Sequence, residues 1–289
     1  MGRFQVGWQL GLRSWRLLKA DKELVALPVA SALVTLIMLA VLGLPGLLLQ
    51  RDAGHATTGS VVLYAVTLLV VAFAGTFFSA ALVAGALQRL DGGDPTLTSS
   101  LRAAWQRKAQ IAQWALVSTV VGLVINMIES RGGVLGRVGG WFLDVAWAVA
   151  TAFALPVIIV EGSGPFDALK RSSSIIKARW GDAVGTYAGA SIVFLPAYLV
   201  VLVVGLLLTA VSPALGIAVL VAGFLVLAVL AACVSAIARA ALYQYATTGQ
   251  SPLIDPALAS SAFQPRRRGG IGGMGGVGGN TGGFSGRGF

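Results

Sequence analysis

Six uncharged apolar runs, each long enough to cross a bilayer, restrict this chain to folds that live in a membrane. They are residues 24–50, 59–88, 110–128, 141–160, 183–211 and 213–237. About 20 residues, at a rise of 1.5 Å each, carry a helix across roughly 30 Å of hydrocarbon. The longest runs exceed that minimum, so those helices are expected to tilt or protrude. The fourth is interrupted by Asp144 near its start. Charged residues make up only 11% of the 289, against about 25% in a soluble domain. The mean hydropathy of +0.84 agrees. The first run outlasts the apolar stretch of a cleavable signal peptide and lacks a clear small-residue cleavage site, so it reads as an anchor that stays in the membrane.

The basic residues orient the spans. Eighteen of the 21 lysines and arginines fall in the N-terminal segment, the second loop, the fourth loop and the C-terminal side. The opposite loops hold only Arg51, Arg131 and Arg137. Lysine and arginine collect on the cytoplasmic side of membrane proteins, which puts both termini inside. A net charge of +10 could suggest nucleic acid. These cations instead flank apolar runs, where they meet anionic lipid headgroups, and no nucleic-acid partner is expected.

Each inner segment before an odd-numbered span has the pattern of a short amphipathic helix. In the first, Phe4, Trp8, Leu12, Trp15 and Leu18 recur at three- and four-residue spacing, with Arg13 and Arg16 on another face. In the second, Pro95 precedes Leu97, Leu101 and Trp105. In the third, Pro165 suits a first helical position, Phe166, Leu169, Ile176 and Trp180 form the stripe, and Asp167 is placed to pair with Arg171 at i+4. Tryptophan and aliphatic residues opposite Lys/Arg suit a helix lying among headgroups. The expected contacts are Arg13, Arg16, Lys19, Arg102, Arg107, Lys108, Lys170, Arg171 and Lys177. The predicted fold is therefore all-α: a polytopic transmembrane helical bundle of six spans with three interfacial elbow helices. It would occupy residues 1–249, an elbow helix plus hairpin repeated three times. Residues 250–289, rich in glycine and arginine, cannot bury enough apolar surface to order themselves and are expected to form a disordered cytoplasmic tail.

No catalytic or metal-binding pattern accompanies this architecture. The one histidine, His55, lies in an outer loop, and a metal site or a His-based catalytic unit normally needs more such residues than one. The one cysteine, Cys233, sits in an apolar run and cannot form an intramolecular disulfide. Polar groups within spans are the usual functional pointers in membrane proteins. Asn126 and Glu129, at i and i+3, and Asp144 across the next turn form a candidate cluster, with Arg131 and Arg137 near enough in sequence to neutralise it. Pro156 and Pro196 lie within runs and would each free a backbone carbonyl four residues earlier. Pro45-Gly46 reads as a helix terminator. Gly181, Gly185 and Gly189 recur every four residues, a spacing that lets two helices pack closely.

Ser14-Trp15-Arg16-Leu17-Leu18-Lys19 followed by Glu23-Leu24 and Leu27-Pro28 resembles the opening of an uncharacterised prokaryotic family of six-span integral membrane proteins. Phe77-Phe78-Ser79-Ala80-Ala81-Leu82 is similar to that family's second span. So is Pro156-Val157-Ile158-Ile159-Val160-Glu161-Gly162 running into Ala168-Leu169-Lys170-Arg171-Ser172 and Trp180-Gly181. This last stretch also resembles, distantly, the membrane domain accompanying some glycerophosphodiester phosphodiesterases. The likeness covers roughly residues 10 to 250 and implies a six-helix membrane fold, with no activity to carry over. The expected role is non-enzymatic and without a cofactor, in a prokaryotic plasma membrane: organising lipids or a membrane assembly. Anionic lipid is the expected partner, with a second copy or another membrane protein also possible. A small-molecule or ion transporter is the alternative.

Overall fold

The computed structural model describes residues 2–20, 23–179 and 194–254. Every regular element among them is a helix. The first elbow is α1 (Gly2–Ala20). The first span comprises α2 (Glu23–Met38), a widened π turn (Leu39–Gly43) and α3 (Leu44–Ala53). Then come α4 (Thr58–Leu90), the second elbow α5 (Leu97–Gln106), α6 (Lys108–Arg131), α7 (Gly133–Ala150) and α8 (Ala154–Glu161). The third elbow, α9 (Pro165–Arg179), precedes α10 (Leu195–Val211) and α11 (Pro213–Thr248). Five stretches are long and apolar enough to cross a membrane: Glu23–Asp52, Thr58–Leu90, Lys108–Arg131, Leu135–Glu161 and Pro213–Thr248. The expected fifth span is represented by α10, an apolar helix of 17 residues. Its predicted beginning, residues 183–193, lies outside the described residues, as does the tail from residue 255.

The prolines act differently from one another. Pro28 is inside α2 and cannot donate to Leu24. The Cys233 thiol donates to that carbonyl instead, at 3.7 Å from α11. Pro45 does not terminate its helix, contrary to the sequence expectation. The Leu44 N–H reaches back five residues to Leu39, and this wider turn makes room for the proline ring. The helix runs on to Gly54, which ends it with φ +69°. Pro156 leaves the Ala152 carbonyl without its usual donor, and the fourth span breaks just there, at residues 151–153. Hydrogen bonds tighten to three-residue spacing, Ala152 to Val149 and Ala154 to Thr151. Pro196 occupies the first turn of α10, where a missing N–H costs little.

Two helices outrun the bilayer. At 33 and 36 residues, α4 and α11 are about 50 and 54 Å long, against a hydrocarbon core of roughly 30 Å. Their surplus length is gathered at one end, where the elbows wrap it: α1 packs on α11, α5 on α4, and α9 on α8. The buried core sits at this end, around Leu24, Leu27, Val83, Ile111, Ile158, Ile237 and Leu242. Toward the other end the helices expose Leu33, Leu47, Val62, Leu123, Val203 and Val221. Lipid tails solvate such surface as well as leucine does.

The elbows are pinned by capping. Thr96 and Ser99 exchange side-chain and backbone hydrogen bonds at the start of α5. The Glu23 carboxylate accepts from the Leu97 N–H at 3.1 Å, tying the start of the first span to the second elbow. In α9, Pro165 takes the first position as expected. Phe166, assigned to its apolar stripe, is instead 67% exposed. The buried side of α9 is Ala168, Ser172 and Ile175, with Leu169 and Ile176 partly covered. The face is rotated because a small flank lets α9 lie close against α8.

Candidate functional site

Each elbow helix buries one serine against the bundle: Ser14, Ser100 and Ser172, all at 1% exposure or less. A serine is small enough for two helices to approach closely. At Gly85 a Cβ would lie 2.6 Å from the Ser100 Oγ and 2.8 Å from a Leu24 methyl, so α2, α4 and α5 meet where no side chain fits. The Ser172 hydroxyl accepts from the Phe153 N–H at 3.1 Å, satisfying the donor freed at the break in the fourth span. The Ser14 and Ser100 hydroxyls have no hydrogen-bond partner among the described residues. The sequence reading missed these serines because it followed tryptophan and leucine. The available signal was a serine one or two residues from an arginine in every elbow: Arg13-Ser14, Ser100-Leu101-Arg102 and Arg171-Ser172.

Eight of the nine expected headgroup cations have described side chains, and they fall into two sets. Arg16, Arg102, Lys108, Lys170 and Lys177 are exposed. The Lys108 Nζ lies 4.6 Å from the centre of the Trp105 ring, a cation–π contact at the outer surface of α5. Trp105 is itself 59% exposed while its edge meets Phe77. The other set works inside the fold. A half-buried Arg13 donates to the Leu253 carbonyl at 3.1 Å, fastening the chain beyond α11 to the first elbow. The guanidinium of Arg107, also half-buried, lies over Gly162, where a Cβ would come within 2.5 Å of its Nη1. Gly162 ends α8 with φ +67°, so this close approach needs glycine twice over.

Arg171 is the third of these. It does not pair with Asp167, the partner expected from helical spacing. Its Nε donates instead to the Glu161 Oε1 at 3.1 Å, and the same oxygen accepts from the Tyr243 hydroxyl at 3.0 Å. Tyr243 is buried near the end of α11, so one carboxylate joins α8, α9 and α11. Lys19 lies at a position whose side chain falls outside the described residues.

The polar residues of the third and fourth spans sit at the opposite end. Asn126 and Asp144 are exposed and Glu129 is half-buried. Glu129 lies against Gly140, where a Cβ would overlap it, and Gly136 lies against the Ile128 carbonyl. No hydrogen bond or ion pair joins Asn126, Glu129 and Asp144 to one another or to Arg131 and Arg137. Gly181, Gly185 and Gly189 lie outside the described residues. Close helix packing through glycine is instead seen between α10 and α11, where Gly205 faces Leu220, Gly216 faces the Thr209 backbone and Gly223 faces Val201.

A family model described as a family of unknown function (DUF6159) matches residues 56–253. The chain belongs to this family. The DUF6159 match covers α4 to α11, including two of the three elbows and the Glu161–Arg171–Tyr243 junction. The first elbow and first span precede it. No curated protein and no solved structure matches the chain, and no link to glycerophosphodiester phosphodiesterases is shown.

Proposed function

We propose that this protein is a non-enzymatic organiser of anionic lipid at the inner face of a prokaryotic plasma membrane, with both termini on that side. One observation carries the reading. The elbow helices dock on the protruding ends of the spans through a buried face and turn a second face, bearing Arg16, Arg102, Lys170 and Lys177, outward at that level, with Lys108 exposed beside α5 at the start of α6. Trp105 stands among these cations at a depth suited to an amphipathic ring. Each such cation beside an anionic surface contributes about 1 kcal/mol, and salt weakens it.

The test is retention of lipid by the full-length protein, read by native mass spectrometry from micelles containing equal phosphatidylglycerol and phosphatidylcholine. The Arg16→Gln, Arg102→Gln, Lys108→Gln triple variant should lose most of the wild type's preference for phosphatidylglycerol while its thermal unfolding stays unchanged. Equal preference in the two proteins would leave these charges only the task of orienting the chain.

Orientation has its own test. In a Cys233→Ala background, Ala56→Cys should react with an impermeant maleimide added to intact cells, and Thr98→Cys only after lysis. Both positions are exposed. Labelling of Thr98→Cys from outside would invert the topology.

A transporter is the second reading, and the broken fourth span is what favours it. Transporters place ligands at interrupted helices. Here the freed Phe153 N–H is already taken by Ser172, which favours the lipid reading. Flux of a substrate panel into reconstituted vesicles would reverse that order.

A further inference from the structure

An apolar cleft of about 630 Å³ lies between α6 and α7 and ends against the third elbow. Its walls include Val120, Val124, Ile128, Leu143, Ala146 and Trp147, and Leu169 and Ser173 of α9 close its inner end. Trp147 stacks on Trp114, with ring centres 6.0 Å apart and planes 11° from parallel, which makes that wall rigid. From Ala150, at the end of α7 next to α9, to Leu143 the cleft runs about 10 Å along α7, most of one leaflet of a hydrocarbon core roughly 30 Å thick. The cleft is therefore open, greasy and most of one leaflet deep, and it changes character only at its elbow end. There Ser173, whose hydroxyl has no hydrogen bond among the described residues, is flanked on the same helix face by Lys170 and Lys177, three residues before it and four after. Both lysines are exposed, and neither forms an ion pair among the described residues.

We infer that this cleft binds one anionic diacyl phospholipid of the elbow-side leaflet. One acyl chain lies along α6 and α7 over the Trp147 ring. The phosphate sits at the mouth, accepting from the Ser173 hydroxyl and paired with Lys170 and Lys177. An uncharged occupant would leave two cations and a hydroxyl unused at the mouth, and a free phosphate would leave the cleft unfilled. The inference rests on the lipid-organising reading, but its variants change Lys170, Lys177, Ser173 and Ala146, none of which is changed in the test of that reading, so the two fail separately.

The experiment uses the full-length protein purified with 1:1 phosphatidylglycerol and phosphatidylcholine of identical chains, and counts the lipid that survives stepwise collisional activation in native mass spectrometry. The wild type should retain one phosphatidylglycerol after all others are stripped. Lys170→Gln with Lys177→Gln should weaken this last lipid about 30-fold, from about fivefold per cation beside a phosphate. Ser173→Asp should abolish it by setting a carboxylate against the phosphate. Ala146→Phe fills the cleft and should abolish it with both lysines intact. The Arg16→Gln, Arg102→Gln, Lys108→Gln variant should keep it, because those cations lie on α1, on α5 and at the start of α6, none of them on α9. Unchanged retention in either the double lysine variant or Ser173→Asp would overturn the headgroup assignment. Should Ala146→Phe misfold, wild type with brominated-chain phosphatidylglycerol replaces it: fluorescence quenching must fall when Trp147→Phe is introduced. Quenching that is indifferent to Trp147 would overturn the cleft.

Discussion

Gly216→Leu should strongly destabilise the last hairpin, and Gly216→Ala should already be costly. A Cβ at Gly216 would lie 2.5 Å from the Thr209 nitrogen and 2.7 Å from its Cα. These are backbone atoms of α10, so no rotamer change relieves the clash and the two helices must separate. Overpacking a core costs about 1–3 kcal/mol even when side chains can shift, and a backbone clash belongs at or above the top of that range. At Gly223 the opposing atoms are Val201 methyls, which can yield, so Gly223→Ala should cost less. The check is the unfolding midpoint of each variant in the same detergent, with the order Gly216→Leu, Gly216→Ala, Gly223→Ala from least to most stable. A Gly216→Leu midpoint equal to the wild type's would mean that α10 and α11 do not meet at this point in the membrane.

This packing seam also shows where sequence reading reaches its limit. A glycine stripe repeating every four residues is visible in one dimension, which drew the eye to residues 181–189. The seam between α10 and α11 uses Gly205 from one helix and Gly216 and Gly223, seven residues apart, from the other, and neither helix alone carries a glycine every four residues. Span positions, by contrast, follow from hydrophobicity alone, and five described helical stretches cover the first four runs and the sixth, the last of them continuing to Thr248. The break in the fourth span was foreshadowed by Pro156, but its location depends on Ser172, a residue of the next element that accepts the freed Phe153 N–H.

The elbow cations show the same division. Composition and spacing picked out the basic residues of the elbow segments. They could not say which arginines reach outward and which reach inward, because that depends on acceptors distant in sequence. Leu253 lies 240 residues from Arg13. Helical spacing offered Asp167 to Arg171, yet such an exposed i, i+4 pair is worth only about 0.3–0.5 kcal/mol. Glu161 offers Arg171 a carboxylate that a buried tyrosine already holds in place, so the longer-range partner wins.

That junction yields the second large effect. Glu161→Leu should destabilise the elbow end by about 1–3 kcal/mol, mostly through Tyr243. The tyrosine is 4% exposed, and without Glu161 its hydroxyl keeps the cost of burial with no acceptor. Arg171 behaves differently. Its side chain is 49% exposed, so it can turn to solvent or to a phosphate, and the ion pair itself contributes no more than about 1 kcal/mol. Arg171→Gln should accordingly be milder than Glu161→Leu. Tyr243→Phe removes the group that needs the acceptor, so the Glu161→Leu, Tyr243→Phe double variant should recover most of the loss, a coupling that a double-mutant cycle of unfolding midpoints measures directly. The same substitution has a second readout. Releasing Arg171 adds a cation to the elbow surface beside Lys170, so Glu161→Leu should retain more phosphatidylglycerol than the wild type while being less stable. Loss of stability with no recovery in the double variant would place the cost in Arg171 or in the α8–α9 turn, and Tyr243 would then be a bystander.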